Sequence, residues 1–301
     1  MSGLADYGSQ GVLNWQTGQA AMPTLGANAR WLGLFTTMPT SDSGSGGVEV
    51  TGGAYARVQI AGQVATNGTT ASGNPTLNFA SVPAWIVPGM TVTDLTAPSV
   101  IPAGTTVLSK TGTTVTMSAN ATGAGVGNGD TINFSMFPAA SASTGTQPSV
   151  VPATVTNGGV ITFPQATANW GTVVGFGIFD ASSSGNLIGY DWLGNYQWLP
   201  CTVSAASPGV ITAKAHGYSA ADPVVYTIEY GGTLPTFSQS NFTGVLAVVS
   251  PTTDTFTVTN SATAVNTSAT GSGSVRKIVQ QSIPQNVTAS FAASSLTLTA
   301  T

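Results

Sequence analysis

Apolar and polar residues alternate along the chain in short runs, and this pattern predicts β-strands separated by turns. The longest stretch in which the local signals agree covers residues 163–190. Inside it, residues 172–179 are rich in β-branched and aromatic side chains, which favours a strand over a helix. Gly175 and Gly177 interrupt this strand and indicate that another backbone or a large ring approaches closely. The polar cluster at residues 180–186 predicts a turn, so we expect a β-hairpin at the centre of the fold.

Residues 1–66 predict further elements of the same core. The apolar run at residues 31–36 is typical of a buried strand. Residues 55–60 alternate with a period of two, which indicates a half-buried strand. A short N-terminal helix is also expected, although two glycines weaken its propensity. The inward face of this helix would carry Leu4, Tyr7, Leu13 and Trp15.

Two stretches, residues 67–137 and 200–275, each contain several short strand-like runs separated by turn signals. The runs recur about every 8–12 residues, a spacing typical of sandwiches and small barrels. We predict that both stretches are inserted modules, because neighbouring chain ends make insertions easy to tolerate. The remaining core would consist of residues 1–66, 138–199 and 276–301. The predicted fold class is all-β: a discontinuous β-sandwich or barrel core with two inserted, small β-barrel-like modules.

The composition adds that the surface of the protein carries few charged residues. Only 5% of the residues are charged, whereas 42% are hydrophobic. Ordinary globular proteins carry about 25% charged residues, and disordered chains combine low hydrophobicity with high charge. An uncharged surface of threonine, serine, asparagine and glycine suits extracellular or virion proteins. It also suits tight subunit packing, because each charge buried in an interface needs a partner.

The distribution of charge argues against several function classes. The net charge is −4, and Arg276–Lys277 is the only adjacent basic pair, which argues against nucleic-acid binding. No apolar run reaches the ~20 residues of a membrane span. The first ten residues lack a basic region followed by an apolar run, so we expect no secretory signal. A protein of this kind that works outside a cell would leave it in an assembly or by lysis.

Short motifs surround the predicted hairpin in a fixed order. They are LFTT-x-P-T at residues 34–40, EV-x-GG at 49–53, YAR at 55–57, FP-x-ATA-x-WGT at 163–172 and GIFD at 177–180. Their order and spacing resemble a family of small bacteriophage proteins labelled tail-fibre or virion structural proteins. The motifs cover well under half of the chain, and members of that family are mostly shorter and lack the two inserts.

The resemblance implies a structural component of a phage virion, assembled in the host cytoplasm, that acts through protein–protein contacts. A tail-fibre, collar or head–tail accessory protein is the leading interpretation, with tail, collar or capsid proteins as partners. We expect no enzymatic activity and no cofactor, and by analogy with fibres a homo-oligomer, such as a trimer. A capsid decoration (cement) protein and a spike that recognises or cleaves a host surface glycan are the alternatives. The residues expected to form the core and assembly motif are Phe35, Tyr55, Arg57, Phe163, Trp170, Phe179 and Asp180.

Candidate catalytic residues are few. His216 is the only histidine, and the nearest acid and serine that could complete a triad are Asp222 and Ser219. A histidine that caps a turn before Gly217 is the favoured interpretation, because nothing else in the sequence predicts a pocket. Cys201 is the only cysteine, so no intrachain disulfide is expected.

Carboxylates offer two further kinds of site. Asp180 and Asp191 flank the returning strand and could hydrolyse glycans as a pair. Asp180, however, lies where a hairpin turn prefers aspartate, and turn formation is the favoured role. Asn120, Asn128 and Asp130 are oxygen donors near turns and could bind calcium. Their spacing matches no known calcium loop, so we expect no metal site.

Two further patterns concern the surface. Trp192, Tyr196 and Trp198 are separated by even steps, so on a strand they would share a face and could stack on a sugar. The simpler interpretation is that they fill the gap between the core and the second insert. Arg57 could pair with Glu49 across a hairpin, which would be a structural contact.

Overall fold

The computed structural model describes residues 3–19, 29–40, 44–139, 153–228 and 244–300. Within these ranges it contains one helix, α1 (Asp6–Gln16), and strands arranged only in antiparallel pairs, so the all-β prediction is confirmed. The first strands in chain order are β1 (Gly3–Leu4), β2 (Arg30–Thr37), β3 (Val48–Glu49), β4 (Val58–Ala65), β5 (Thr76–Asn78), β6 (Thr91–Asp94), β7 (Val107–Lys110), β8 (Thr114–Met117), β9 (Thr131–Ser135), β10 (Ala153–Thr156), β11 (Ile161–Gln165) and β12 (Gly171–Val173).

The second half of the chain continues the all-β pattern. Its strands are β13 (Gly175–Phe179), β14 (Leu187–Trp192), β15 (Leu199–Val203), β16 (Ile211–Thr212), β17 (Pro223–Thr227), β18 (Leu246–Val249), β19 (Thr255–Asn260), β20 (Thr263–Ala264), β21 (Gly271–Lys277), β22 (Gln281–Ile283), β23 (Thr288–Phe291) and β24 (Thr297–Ala300). Among the described residues, no helix is long and apolar enough to cross a membrane.

The largest sheet has eight strands in the order β1-β14-β13-β2-β4-β9-β6, with β3 paired to β2. The predicted hairpin is present as β13 and β14, which pair Gly177 with Tyr190. The strand predicted over residues 172–179 is two strands, however. The chain changes partners at Val174, whose N–H donates to the carbonyl of Phe35 at 2.9 Å. As a result β12 pairs with β22, whereas β13 pairs with β2 and β14.

Two glycines face each other at the centre of this sheet. Gly177 on β13 is opposite Gly33 on β2. A Cβ atom on Gly33 would lie 2.7 Å from Oε1 of Glu49, and one on Gly177 would lie 2.7 Å from the ring of Phe35. These distances are too short for any side chain, which confirms the expectation that large groups approach the glycines of this strand.

The first predicted insert contributes strands to two sheets. Strands β6 and β9 extend the eight-stranded sheet, because β9 pairs with β4 from Ala61–Ser135 to Ala65–Thr131. Strands β5, β8 and β7 form a separate three-stranded sheet. Leu32 and Phe134 belong to one buried cluster that runs through both sheets. The division of the chain into a core and two inserts stays a prediction.

The second predicted insert contains a closed barrel. Six strands form the ring β16-β15-β21-β17-β18-β19, which closes where Ile211 of β16 pairs with Phe256 of β19. Strand β20 extends β19 outside the ring. The barrel has its own buried cluster, which includes Cys201, Val224 and Phe256.

The C-terminal strands pair with a segment in the middle of the chain. Strands β22, β23 and β24 pair with β12, β11 and β10, so residues 153–173 and 281–300 run antiparallel as an irregular two-stranded ribbon. Phe291 on β23 contacts Phe163 at 6.4 Å and Phe176 at 6.2 Å between ring centroids. These rings pack the ribbon against the large sheet.

The expected N-terminal helix is present, but Leu13 of its predicted inward face is exposed. Leu13 is 60% exposed, and Tyr7 is half-buried, whereas Gly11 and Ala5 are buried. Ala5 donates its N–H to Ile188 on β14 at 2.9 Å. This hydrogen bond holds the chain immediately before the helix against β14. The side chains of Leu4 and Trp15 lie outside the described part of the structure.

Candidate functional site

A buried ion pair joins the motifs at residues 49–53 and 55–57. Arg57 binds Glu49 through two hydrogen bonds, from Nη2 to Oε2 at 2.7 Å and from Nε to Oε1 at 2.8 Å. The two side chains are 8% and 21% exposed. The pair closes the loop between β3 and β4, which confirms the pairing expected from the sequence.

The same arginine also ties this loop to the central hairpin. Its Nη1 donates to the carbonyls of Ala181 at 2.8 Å and Ser184 at 2.6 Å. Its guanidinium carbon lies 3.4 Å from the centroid of the Phe179 ring. Arg57 therefore combines a bidentate ion pair, two carbonyl acceptors and a stacked aromatic ring, a combination that lysine cannot reproduce.

Tyr55 completes the hydrogen bonding of Glu49. Its hydroxyl donates to Oε1 of Glu49 at 2.8 Å and accepts the N–H of Leu34 at 2.8 Å. Burial raises the pKa of Tyr55 far above its usual value, and the neighbouring Glu49 raises it further, although the N–H of Leu34 and Arg57 oppose this. The phenol therefore keeps its proton, which it needs as a donor.

The remaining motif residues pack around Tyr55. Its ring stacks on Phe163 at 6.3 Å and meets the edge of Trp170 at 5.3 Å. Trp170 donates its Nε1–H to the carbonyl of Gly53 at 2.9 Å. Phe35 and Phe179 belong to a separate buried cluster, with 6.0 Å between their ring centroids. The structure thus brings these motif residues together, while their role in assembly stays a prediction.

The two candidate catalytic carboxylates are held separately. Asp180 accepts the backbone N–H of Asn186 at 2.6 Å and its side-chain Nδ2–H at 2.8 Å, so it shapes the hairpin turn as predicted. Asp191 accepts from Arg276 Nη2 at 2.8 Å. Each carboxylate already has a structural partner.

The pair Asp191–Arg276 is a contact that the sequence did not predict. It joins β14 of the large sheet to β21 of the barrel, and the two side chains are 20% and 5% exposed. Arg276 also lies 5.2 Å from the Trp198 ring, and its Nη2 reaches the Trp192 carbonyl at 3.3 Å. The two residues are 85 positions apart in the sequence. The one sequence signal that could have found them is that charged residues are rare in this chain.

The aromatic residues proposed to stack on a sugar do not form one exposed row. Strand β14 ends at Trp192 and β15 begins at Leu199, so the even spacing does not place the rings on one strand face. Trp192 and Trp198 pack into the buried cluster between the sheet and the barrel. Tyr196 is 44% exposed, with Lys277 Nζ 5.5 Å from its ring centroid. This packing favours the gap-filling interpretation, and sugar stacking at these residues stays a prediction.

His216 packs among aromatic rings in the barrel. Its Nδ1 accepts the N–H of Tyr218 at 2.9 Å, so it closes a turn as predicted, and its ring contacts those of Tyr218 and Phe256 at 4.8 and 4.9 Å between centroids. Asp222 binds Lys277 at 2.8 Å and the N–H of Ser219 at 2.8 Å. The carboxylate of the hypothetical triad therefore binds Lys277 and the backbone of Ser219, and its hydrogen bonds do not involve the histidine.

Two of the three oxygen donors considered for calcium already accept a backbone N–H. Asn128 Oδ1 accepts the N–H of Gly68 at 2.7 Å, and Asp130 Oδ2 accepts that of Gly127 at 2.5 Å; Asn120 is exposed. Nearby, Asp94 is fully buried, and burial raises its pKa, with Asp130 raising it further. In the described residues no three histidine, cysteine, aspartate or glutamate side chains group together as they would to hold a metal ion.

A cavity of about 520 Å³ opens beside the Arg57–Glu49 pair. It lies between helix α1, residues 44–47 before β3 and the turn of the central hairpin. Glu49, Phe35 and Phe179 form part of its lining. The family-like motifs therefore build both a packed centre and the wall of a cavity.

Comparison with known proteins adds one finding. A family model described as Podophage GP4 fiber I protein gp80 matches residues 3–138 and 95–198, which together cover more than half of the chain. No curated protein and no solved structure matches the chain. The matched span includes every residue of the predicted core motif and ends immediately before β15, the first strand of the barrel. The chain therefore belongs to this phage fibre family, whose members are structural components of the virion.

Proposed function

We propose that the protein is a tail-fibre component that acts by assembling with copies of itself and with other virion proteins, and that it catalyses no reaction. The observation that carries this proposal is the family match over residues 3–198. Collar and other head–tail accessory positions use the same kind of protein–protein contact and belong to the same proposal.

An uncharged strand edge supports self-association. Strands β22, β23 and β24 each have one strand partner among the described residues, so their outer edges present backbone donors and acceptors. Residues 278–301 contain no aspartate, glutamate, lysine or arginine. Native proteins commonly protect such edges with charged side chains, because an unprotected edge pairs with another chain. Val279 and Val287 are exposed along this segment and would be covered in an assembly.

The barrel is suited to a different task. It lies outside the family match, and Asp191–Arg276 and the surrounding aromatic cluster hold it against the large sheet. We propose that it adds outward contacts to a family core that carries the assembly function.

Light scattering on the purified full-length chain tests self-association. We expect a stable homo-oligomer, and a trimer would have three times the 30.0 kDa chain mass. Thr288→Lys, which places a charge on the exposed face of β23, should shift this oligomer towards monomer. Thr69→Lys changes an exposed threonine in a distant loop and is the matched control.

A clean monomer of the unmodified chain would contradict self-association. It would favour the alternative of a capsid decoration protein that is ordered by the lattice to which it binds. In that case the chain should bind purified phage shells while it remains monomeric in solution.

A further inference from the structure

The cavity beside Glu49 has the size and lining of a small-ligand site. Its volume of about 520 Å³ falls in the usual range for ligand pockets, roughly 300–1,000 Å³. Tyr7 and Gln10 of helix α1 line one side, and Asn186 and Leu187 line the other. Phe35 and Phe179 supply the apolar part, while Glu49 supplies a carboxylate. A cavity with a few polar groups around apolar surface can orient a ligand as well as hold it.

The charges around the cavity balance one another. Glu49 is neutralised by the bidentate contact with Arg57. Arg30 lies close enough to Asp180 and Tyr7 to interact electrostatically with both, although burial lowers its pKa. Among the described residues, Glu49 is the one charged residue that lines the cavity, and Asp180, Arg30 and Arg57 lie behind this lining. An anionic or cationic ligand would meet no charge without a partner, so the charge balance favours a neutral ligand.

Hydrogen-bonding capacity remains despite this neutrality. A carboxylate can accept about four hydrogen bonds. Glu49 accepts two at Oε1, from Tyr55 and Arg57, and one at Oε2, from Arg57. The amide of Asn186 uses Nδ2 to bind Asp180, which leaves its Oδ1 as an acceptor. Gln10 is exposed on α1 and adds both a donor and an acceptor.

We propose that this cavity binds a neutral polyhydroxylated ligand, a mono- or disaccharide. Hydroxyl groups can donate to Glu49 and Asn186 and exchange hydrogen bonds with Gln10 and Tyr7. The apolar face of a sugar ring would lie against the side chains of Leu187 and the two phenylalanines. The site is distinct from the aromatic residues 192–198, and its occupation does not depend on self-association.

Saturation-transfer NMR titrations of the full-length chain test the proposal. The probes are D-glucose, D-galactose, D-mannose, L-rhamnose and N-acetyl-D-glucosamine, with D-glucuronate and D-glucosamine as charged analogues. We expect saturation transfer to at least one neutral sugar, and weaker binding of the charged analogues. Gln10→Ala should weaken the binding about three- to tenfold, the usual effect of one lost hydrogen bond. Gln10→Trp, which places an indole over the cavity, should abolish it.

Gln16→Ala is the matched control, because Gln16 is an exposed glutamine on the same helix and does not line the cavity. It should leave saturation transfer unchanged. Absence of transfer to every neutral sugar would overturn the proposal, as would equal binding by Gln10→Trp or stronger binding of a charged analogue. Loss of transfer in Tyr196→Ala, with Gln10→Trp unaffected, would move the site to the aromatic residues 192–198. None of these outcomes changes the mass measured by light scattering, so the assembly proposal is tested separately.

Discussion

Two arginines with largely buried side chains hold different parts of the molecule together, and their surroundings differ. Arg57 lies in the region that matches the family, and Arg276 joins the sheet to the barrel beyond that region. Each binds one carboxylate at 2.7–2.8 Å. Arg57 also donates to two backbone carbonyls and stacks on Phe179. Arg276 has a buried Nε without a hydrogen-bond partner in the described structure.

The difference indicates what each ion pair contributes. Removing two charges from water is expensive, and a buried pair compensates for it only with good geometry and complete hydrogen bonding. Arg57–Glu49 comes closer to this condition, because Tyr55 adds a third hydrogen bond to the carboxylate and the hairpin carbonyls bind Nη1 of the arginine. Arg276–Asp191 meets it only in part. We infer that the first pair stabilises the core, whereas the second mainly fixes the orientation of the barrel on the sheet.

The largest expected effect is that of Arg57→Ala. It leaves the carboxylate of Glu49 without its cation and should lower the free energy of unfolding by about 3–5 kcal/mol. Urea denaturation measures this change. Arg57→Lys should recover less than half of the loss, since lysine lacks the bidentate geometry. Full recovery by lysine would mean that charge alone matters at this position and that the hydrogen-bond network contributes little.

A smaller change in the free energy of unfolding is expected at the Asp191–Arg276 pair, which joins the sheet to the barrel. Asp191→Asn combined with Arg276→Met removes both charges and should leave the free energy of unfolding within about 1 kcal/mol of the original value. The corresponding double substitution Glu49→Gln with Arg57→Met should cost more, because it also breaks the contacts to Ala181 and Ser184. Equal losses in the two double variants, measured by urea denaturation, would contradict the distinction between the arginines.

The smallest effect concerns Lys277, the neighbour of Arg276. Its partner Asp222 is partly buried, which alone would raise the carboxyl pKa, but hydrogen bonds from Lys277 and the N–H of Ser219 lower it on balance. A lowered folded-state pKa adds stability above the unfolded pKa of about 3.9, and this stability is lost as the pH falls through the folded value.

Lys277→Gln should therefore cost up to about 1 kcal/mol at pH 7, since a pair that is still partly in contact with solvent contributes little. The difference from the original chain should shrink as the pH falls below 4. Thermal unfolding at a series of pH values measures this, and a difference that persists at pH 2 would assign the effect to packing of the lysine stem.

Local features of the fold could be predicted from the sequence. The hairpin at residues 175–192, the turn at Asp180 and the N-terminal helix each depend on residues close together in the chain. The ion pair of Arg57 with Glu49 was also predictable, because the two residues are eight positions apart on either side of one loop. The turn that His216 closes involves a residue only two positions away.

Contacts between distant residues could not be predicted in the same way. The spacing of Trp192, Tyr196 and Trp198 indicated one strand face. Strand β14 ends at Trp192, however, and the chain then packs against the barrel. Likewise, Gly11 of the N-terminal helix is buried whereas Leu13 is 60% exposed, because the face of the helix that is covered depends on the sheet beside it.

By itself, the sequence determined that this protein is built from short strands and turns, because period-two patterns and turn chemistry act over a few neighbouring residues. Its motifs also determined the phage fibre family. Only the tertiary structure decided that β16 closes the barrel on β19, that Asp191 meets Arg276 and that a cavity opens beside Glu49. These features join segments that are far apart along the chain, and their formation depends on how the whole core packs, which no local pattern encodes.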